Sequence, residues 1–156
     1  MVNSFNDCYT LENGMKIPVL GFGTYKMGGS SDLEVLKGAI KAGYRYFDTA
    51  SIYETERVLG QAIKESGIPR EEFFIATKAW IDERGYREVQ AAMDRSLQRL
   101  QMDYLDLYLI HWPKSSLKET DWKERDIETW RAMEELCMAG KVRGLGLSNF
   151  LPNHLD

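Results

Sequence analysis

Five short apolar runs alternate with amphipathic segments along the chain, and this alternation constrains the fold more than any other feature. The runs cover residues 19–25, 44–47, 73–77, 105–110 and 142–147. Strands that alternate with helical patterns form parallel βαβ units. Asn13-Gly14, placed between apolar flanks ahead of the first run, predicts a hairpin with a tight turn.

Four amphipathic segments supply the helices between these strands. Ser31 and Glu34 predict a capping box for the first helix, and Gly43 predicts its end. The apolar stripes are Leu33, Leu36, Ala39 and Ile40; Val58, Leu59, Ala62 and Ile63; Val89, Met93, Leu97 and Leu100; and Ile127, Trp130, Met133 and Cys137. We therefore predict an α/β fold in which residues 1–156 form a single unit, with a hairpin followed by the first five parallel strands and four helices of a (β/α)8 barrel.

Composition restricts the class of protein further. The chain has 156 residues, of which 44% are hydrophobic, and its net charge is -4, so we expect a folded domain without a nucleic-acid partner. It carries no secretory signal pattern and no apolar run of about 20 residues, so we expect a cytoplasmic protein that does not bind membranes. Cys8 and Cys137 are expected to be reduced thiols, and His111 and His154 are too scattered for a metal site.

Polar residues follow three of the apolar runs. Asp48 and Tyr53 follow the second, Lys78 the third, and His111 the fourth. The carboxyl ends of parallel strands meet on one face of a barrel, where barrel enzymes place their chemistry. These four residues are therefore candidates for one catalytic site.

The four side chains could together protonate a carbonyl oxygen while the carbonyl carbon receives a hydride. Tyr53 would be the general acid, and a nearby Lys78 ammonium would lower the pKa of the phenol from its usual value of about 10. Asp48 would hold the lysine in place and keep it charged. His111 would donate a hydrogen bond to the substrate oxygen as negative charge develops there.

Five segments of the sequence resemble those of the aldo-keto reductases. They are residues 21–24, 43–50, 75–78, 107–113 and 144–150. The resemblance implies that Asp48, Tyr53, Lys78 and His111 form a catalytic tetrad with Tyr53 as the general acid. Two positions depart from the common pattern, because Tyr25 replaces a frequent tryptophan and Glu54 replaces a frequent glycine.

The same resemblance implies the remaining parts of the site. Ser148 and Asn149 would hold the carboxamide of a nicotinamide cofactor, usually NADPH with NADH as the alternative, and Asp48 and the backbone of Gly23 and Thr24 would approach it. The expected substrate pocket is lined by Tyr25, Trp80, His111 and Trp112. Apolar and aromatic walls are usual in small-molecule sites, although the same aromatic residues could simply pack in a core. The expected reaction is reduction of small aldehydes or ketones, such as the sugar-derived ketones of the diketogluconate reductases.

A barrel of this type closes with eight strands, and the sequence supplies the pattern of five. The sequence is therefore expected to be a truncated, N-terminal portion of such a barrel. It could also be a catalytically idle fragment that associates with another chain, or with itself, through the open edges of its sheet.

Overall fold

The computed structural model describes residues 7–114 and 119–155, and its parallel strands form one sheet. The strands are β1 (Cys8–Thr10), β2 (Lys16–Pro18), β3 (Gly21–Gly23), β4 (Tyr46–Asp48), β5 (Phe74–Ala79), β6 (Leu105–Ile110) and β7 (Val142–Leu147). The helices are α1 (Asp32–Lys41), α2 (Glu56–Ser66), α3 (Tyr86–Leu100), α4 (Trp122–Met138) and α5 (Pro152–Leu155). Strands β3 to β7 are parallel and adjacent in chain order, as predicted for the first part of a barrel.

The N-terminal hairpin is confirmed, with β1 and β2 antiparallel. Gly14 has a φ of +80°, and its N–H donates to the Leu11 carbonyl at 2.9 Å. Thr10 pairs with Lys16, so the connection is a five-residue loop rather than a two-residue turn. Met15 from this loop is buried against Phe74 and Ala76, so the hairpin covers part of one face of the parallel sheet.

Helix α1 ends as expected but does not begin as expected. Gly43 has a φ of +105° and donates to the Ile40 carbonyl, which is typical of a glycine that terminates a helix. The capping box is absent, because the Ser31 side chain makes no capping hydrogen bond. Asp32 instead accepts from the Gly29 N–H at 3.1 Å, and this bond closes the preceding turn.

The predicted stripes of the first three long helices are the faces that meet the sheet, with Leu33 and Val58 only partly buried. Helices α2 and α3 approach closely at Gly60. A Cβ built on Gly60 would lie 2.2 Å from the Leu100 carbonyl oxygen. Only glycine fits this contact, which sets the distance between the two helices.

Helix α4 departs from the predicted stripe. Ile127 is 54% exposed, while Asp126 and Thr129 are buried beside Met133. The polar residues are buried because they bond to the turn after β5: Asp126 accepts from Arg84 and the Thr129 hydroxyl accepts from the Gly85 N–H. The hydrophobic pattern of the helix alone cannot predict hydrogen bonds to residues this far away along the chain.

Successive strand residues point to opposite faces of the sheet. One face packs against the helices in the main apolar core, which includes Phe47, Ile75 and Tyr108. The other face carries Tyr46, Phe74 and Leu107 near the hairpin. Asp48, Lys78 and His111 are on this second face, at the carboxyl ends of their strands, because each is an even number of residues from Tyr46, Phe74 or Leu107.

No helix within residues 7–114 and 119–155 is long and apolar enough to cross a membrane. The same residues contain no cluster of His, Cys, Asp and Glu that could hold a metal ion. Cys8 is exposed and Cys137 is partly buried, and neither forms a disulfide bond within the part of the chain that the structure describes.

Candidate active site

Asp48, Lys78 and His111 meet at the carboxyl end of the sheet. Asp48 is the last residue of β4, and His111 directly follows β6. Lys78 lies inside β5, which continues to Ala79 and is two residues longer at this end than predicted. All six residues of β5 are buried, and Lys78 is 7% exposed, so its aliphatic stem is covered by neighbouring groups.

The Lys78 amine is fixed by two oxygen atoms from the loop end of β4. It lies 2.5 Å from Asp48 Oδ1 and donates to the Thr49 carbonyl at 2.9 Å. The Lys78 side chain is 9% exposed and that of Asp48 is 33% exposed. This pairing matches the role predicted for Asp48, which is to hold the lysine in place.

Tyr53 is carried by a short 3-10 helix, Ser51–Tyr53, that follows β4. Glu54 ends this helix in the left-handed conformation, with φ 61° and ψ 10°. Glycine adopts this conformation without a steric penalty, whereas a residue with a Cβ does not. The physical reason for a glycine at this position is therefore visible here, and Glu54 keeps the same backbone geometry under strain.

We expect Glu54→Gly to stabilise the protein by about 0.5–1 kcal/mol, because the relief of strain exceeds the added flexibility of the unfolded chain. Gln98→Gly, at an exposed position of α3, is the control and should destabilise by about 1 kcal/mol. Urea denaturation of both variants measures these changes. A loss of stability in Glu54→Gly would show that the Glu54 backbone is not strained.

The Tyr53 hydroxyl lies 3.3 Å from His111 Nε2, and the two rings meet edge to face. The Lys78 amine lies 5.4 Å from the centre of the Tyr53 ring. The four residues of the predicted tetrad thus form two contacting pairs, Tyr53 with His111 and Lys78 with Asp48. The two pairs are adjacent, because the Lys78 amine of one lies close to the Tyr53 ring of the other.

The pKa of Tyr53 is raised above its usual value, which is opposite to the direction predicted from the sequence. Burial is the main cause, followed by the negative charge of Asp48 and by Tyr25. The positive charge of Lys78 is paired with the Asp48 carboxylate and does not outweigh the effect of burial on this pKa. The phenol is therefore fully protonated at neutral pH.

His111 is neutral at physiological pH. Burial and the positive charge of Lys78 lower its pKa to about 4. Among the described residues, its buried Nδ1 has no hydrogen-bond partner. An N–H at Nδ1 would be a buried donor without an acceptor, so the proton belongs on Nε2. His111 therefore presents a neutral N–H toward the Tyr53 hydroxyl.

Ser148 and Asn149 follow β7 and lie beside His111. Asn149 Nδ2 donates to the His111 carbonyl at 2.8 Å and to Ser148 Oγ at 3.0 Å. Asn149 also has a φ of +63°, a left-handed conformation that asparagine tolerates better than most residues. These bonds orient the Asn149 amide with its nitrogen toward the protein.

Gly23 and Thr24 play different parts. Gly23 is exposed, and a Cβ built there would meet no atom within 4 Å, so the space beside it is open. Thr24 is fully buried, and its hydroxyl bonds to the Asp48 carbonyl and to the Thr55 hydroxyl. Thr24 therefore helps to hold the backbone of Asp48 in place.

An open cleft of about 620 Å³ contains the Tyr53–His111 pair. Its lining includes all four residues predicted for the substrate pocket, namely Tyr25, Trp80, His111 and Trp112. The Tyr25 ring lies 5.0 Å from that of Tyr53, and the Trp80 ring lies 4.9 Å from that of His111. The structure also places Lys26, Met27 and Ile52 on the walls, which the sequence analysis did not identify.

Several supporting residues could not be found from the sequence. The Thr49 and Thr55 hydroxyls bond to each other behind the site at 2.9 Å. Glu83 and Arg84 in the turn after β5 bond to the loops around the cleft. These two bonds join Glu83 to Ser51 and Arg84 to Pro113, which are 32 and 29 positions away along the chain, and no local pattern marks them.

The donor set of the site fits the nicotinamide end of a dinucleotide. A carboxamide offers one acceptor and two donors, and Asn149 Oδ1 with the Ser148 hydroxyl can complement both kinds of group. Gly23 has open space beside it and pairs with Asp48 in the register of β3 and β4, and the partly exposed Asp48 carboxylate pairs with Lys78. This chemistry agrees with the predicted cofactor residues.

Comparison with known proteins decides the family. The family model described as the aldo/keto reductase family matches residues 19–156. The chain belongs to the aldo/keto reductase family. This is the family that the five sequence segments resemble. Asp48, Tyr53, Lys78 and His111 therefore lie together in a chain of that family.

Two curated aldo/keto reductase relatives illustrate the match. Glyoxal reductase of Bacillus subtilis is 47% identical over 157 residues, which is 100% of this chain and 54% of that protein. The 9,11-endoperoxide prostaglandin H2 reductase of Trypanosoma cruzi is 44% identical over 99% of this chain and 52% of that protein. The chain thus spans about half the length of the curated relatives it matches.

Solved structures agree with the fold. An aldo/keto reductase from Brucella melitensis superimposes with a TM-score of 0.88 at 42% identity, covering 96% of this chain and 56% of that one. A putative 2,5-diketo-D-gluconic acid reductase B superimposes with a TM-score of 0.81 at 43% identity, covering 92% of this chain and 48% of that one. These similarities confirm the α/β architecture with its hairpin and five parallel strands.

Proposed function

We propose that the protein is an NAD(P)H-dependent reductase that converts small aldehydes or ketones to alcohols. The observation that carries the proposal is the Tyr53 hydroxyl at 3.3 Å from a neutral His111, in an open cleft beside the Lys78–Asp48 pair. A protonated phenol and a neutral N–H donor can both act on one carbonyl oxygen. Family membership favours this chemistry over other uses of the same side chains.

The chain's residues have distinct roles in the proposed reaction. A nicotinamide, when bound, supplies the hydride. His111 Nε2–H donates a hydrogen bond to the carbonyl oxygen, and Tyr53 gives its proton to that oxygen as negative charge develops. Lys78 stabilises the phenolate left on Tyr53, and Asp48 holds the lysine amine in position. Solvent restores the phenol proton.

Ser148, Asn149, Asp48 and Gly23 are proposed to hold the nicotinamide, with Thr24 acting through Asp48. We propose NADPH as the cofactor, with NADH as the alternative. Small dicarbonyls and sugar-derived ketones are the proposed substrates, supported by the likeness to a glyoxal reductase and to a putative diketogluconic acid reductase. The aromatic walls at Tyr25, Trp80 and Trp112 suit a small carbonyl compound. We also propose that residues 1–156 act as a single structural unit.

The test is NADPH consumption by the purified protein at 340 nm, with methylglyoxal and 4-nitrobenzaldehyde as substrates. The proposal expects consumption that depends on the carbonyl compound and an equal amount of alcohol product. Fluorescence titration with NADPH and with NADH measures the cofactor preference. Cofactor binding without any alcohol product would favour the alternative, an idle chain that associates with a partner.

The pKa directions make the reduction rate insensitive to pH around neutrality. Reduction needs a protonated phenol, and the raised pKa of Tyr53 keeps it protonated through about pH 9. It also needs a neutral imidazole, which the pKa of about 4 preserves down to about pH 5. We expect kcat/KM to be flat from pH 6 to 9. A decline centred near pH 8 would show that the working complex lowers the pKa of Tyr53 after all.

A further inference from the structure

The turn that follows β5 bonds to both sides of the cleft, and Glu83 lies at its centre. The Glu83 side chain is 14% exposed and accepts hydrogen bonds from three parts of the chain. Ser51 Oγ donates to Oε2 at 2.5 Å, the Trp80 N–H donates to the same oxygen at 2.9 Å, and Arg95 of α3 lies 3.1 Å from Oε1. A single carboxylate thus joins the loops after β4 and β5 to a helix.

Two of these partners lie directly next to groups of the proposed site. Ser51 begins the short 3-10 helix that ends at Tyr53, so its position sets that of the phenol. Trp80 stacks edge to face on His111, with ring centres 4.9 Å apart. Glu83 therefore fixes Tyr53 relative to the Trp80–His111 side of the cleft.

We propose that Glu83 is a positioning residue that sets the Tyr53 hydroxyl relative to His111. This inference rests on the proposed reductase function, but its structural part can be measured separately. Charge-assisted hydrogen bonds to a carboxylate are stronger than those between neutral groups, and Arg95 holds the carboxylate in place. A misplacement of about 1 Å at a reacting group can reduce the rate by about a hundredfold.

Glu83→Ala should reduce kcat on the order of 10- to 100-fold, with the KM for the carbonyl substrate changed by less than about 3-fold. Glu83→Gln is the conservative variant. Its amide oxygen can still accept from Ser51 and from the Trp80 N–H, and only the Arg95 pairing is lost. We expect Glu83→Gln to retain kcat within about 3-fold, a rescue that would not follow if the negative charge itself were needed at the site.

Ser51→Ala removes one bond and leaves Glu83 with Trp80 and Arg95. Its kcat should fall by about 3- to 10-fold, and the double variant Ser51→Ala/Glu83→Ala should be no worse than Glu83→Ala alone. If Glu83→Ala does not fold, Ser51→Ala decides the question. Glu135→Ala is the matched control. Glu135 also accepts a hydrogen bond from a hydroxyl group, that of Tyr86, but it lies on the exposed surface of a helix.

Hydrogen exchange of the backbone segment 50–54 supplies a measurement that does not need catalysis. The Tyr53 N–H donates to the Ala50 carbonyl at 3.0 Å, and we expect it to exchange at least about 10-fold faster in Glu83→Ala than in the wild type or in Glu135→Ala. Faster exchange in a protein without reductase activity would support the positioning role and refute the proposed function. Unchanged exchange together with an unchanged kcat in Glu83→Ala or Ser51→Ala would overturn the inference.

Discussion

Tyr53→Phe is expected to reduce the rate of carbonyl reduction by about a thousandfold, because a positioned general acid typically contributes a factor of 100 to 10,000. Phenylalanine keeps the ring that packs on Tyr25 and lies under the Lys78 amine. Only the hydroxyl that contacts His111 is lost. Stability should change by no more than about 1 kcal/mol, and the affinity for NADPH by less than about 2-fold.

Steady-state NADPH consumption with 4-nitrobenzaldehyde measures this effect, and fluorescence titration measures cofactor binding. Tyr25→Phe is the matched control, since Tyr25 lines the same cleft and is 66% exposed but has no proton to deliver in the proposed reaction. Its rate should stay within about 3-fold of the wild type. A Tyr53→Phe variant that retains more than a tenth of the wild-type rate would remove Tyr53 from the role of acid.

Lys78→Met is expected to impair both stability and catalysis. The variant leaves Asp48 without its partner, and removal of one member of a buried pair costs about 3–5 kcal/mol. Because the Asp48 side chain is 33% exposed, we expect a smaller loss of about 2–3 kcal/mol in the free energy of unfolding. The reduction rate should fall by about 100- to 1,000-fold, since no cation remains to stabilise the phenolate of Tyr53.

Urea denaturation and NADPH consumption separate these two effects of Lys78→Met. Lys37→Met, which breaks the surface pair with Glu65, is the control and should change stability by less than about 1 kcal/mol. The double variant Asp48→Asn/Lys78→Met should recover part of the lost stability but none of the lost rate. Recovery of the rate would show that the ion pair acts only on the fold.

The order of elements could be predicted because hydrophobic periodicity is a local property. The bounds of β6 and β7 match the predicted runs at both ends, where β-branched and leucine-rich segments are clearly delimited. Strand β5 is longer than predicted, because Lys78 looks like the end of an apolar run although its stem is buried. The capping box failed because Asp32, one residue later, satisfies the preceding turn.

The composition of the site could be predicted from residues at strand ends, but its electrostatics could not. The direction of the Tyr53 pKa shift depends first on the burial of the phenol and then on the negative charge of Asp48, and only the three-dimensional arrangement shows either. The buried face of α4 was misassigned at Ile127 for a related reason. Asp126 is buried there because Arg84, 42 positions away, donates to it.

The most direct test of the central claim is the fate of deuterium from NADPH that carries deuterium at both C4 positions of the nicotinamide. The purified protein, incubated with this cofactor and 4-nitrobenzaldehyde, is predicted to form 4-nitrobenzyl alcohol that carries one deuterium on the carbinol carbon by mass spectrometry. Tyr53→Phe should form about a thousandfold less of the same product in the same time. Wild-type protein that binds the cofactor yet yields no labelled alcohol would contradict the assignment of this cleft as a carbonyl-reducing site.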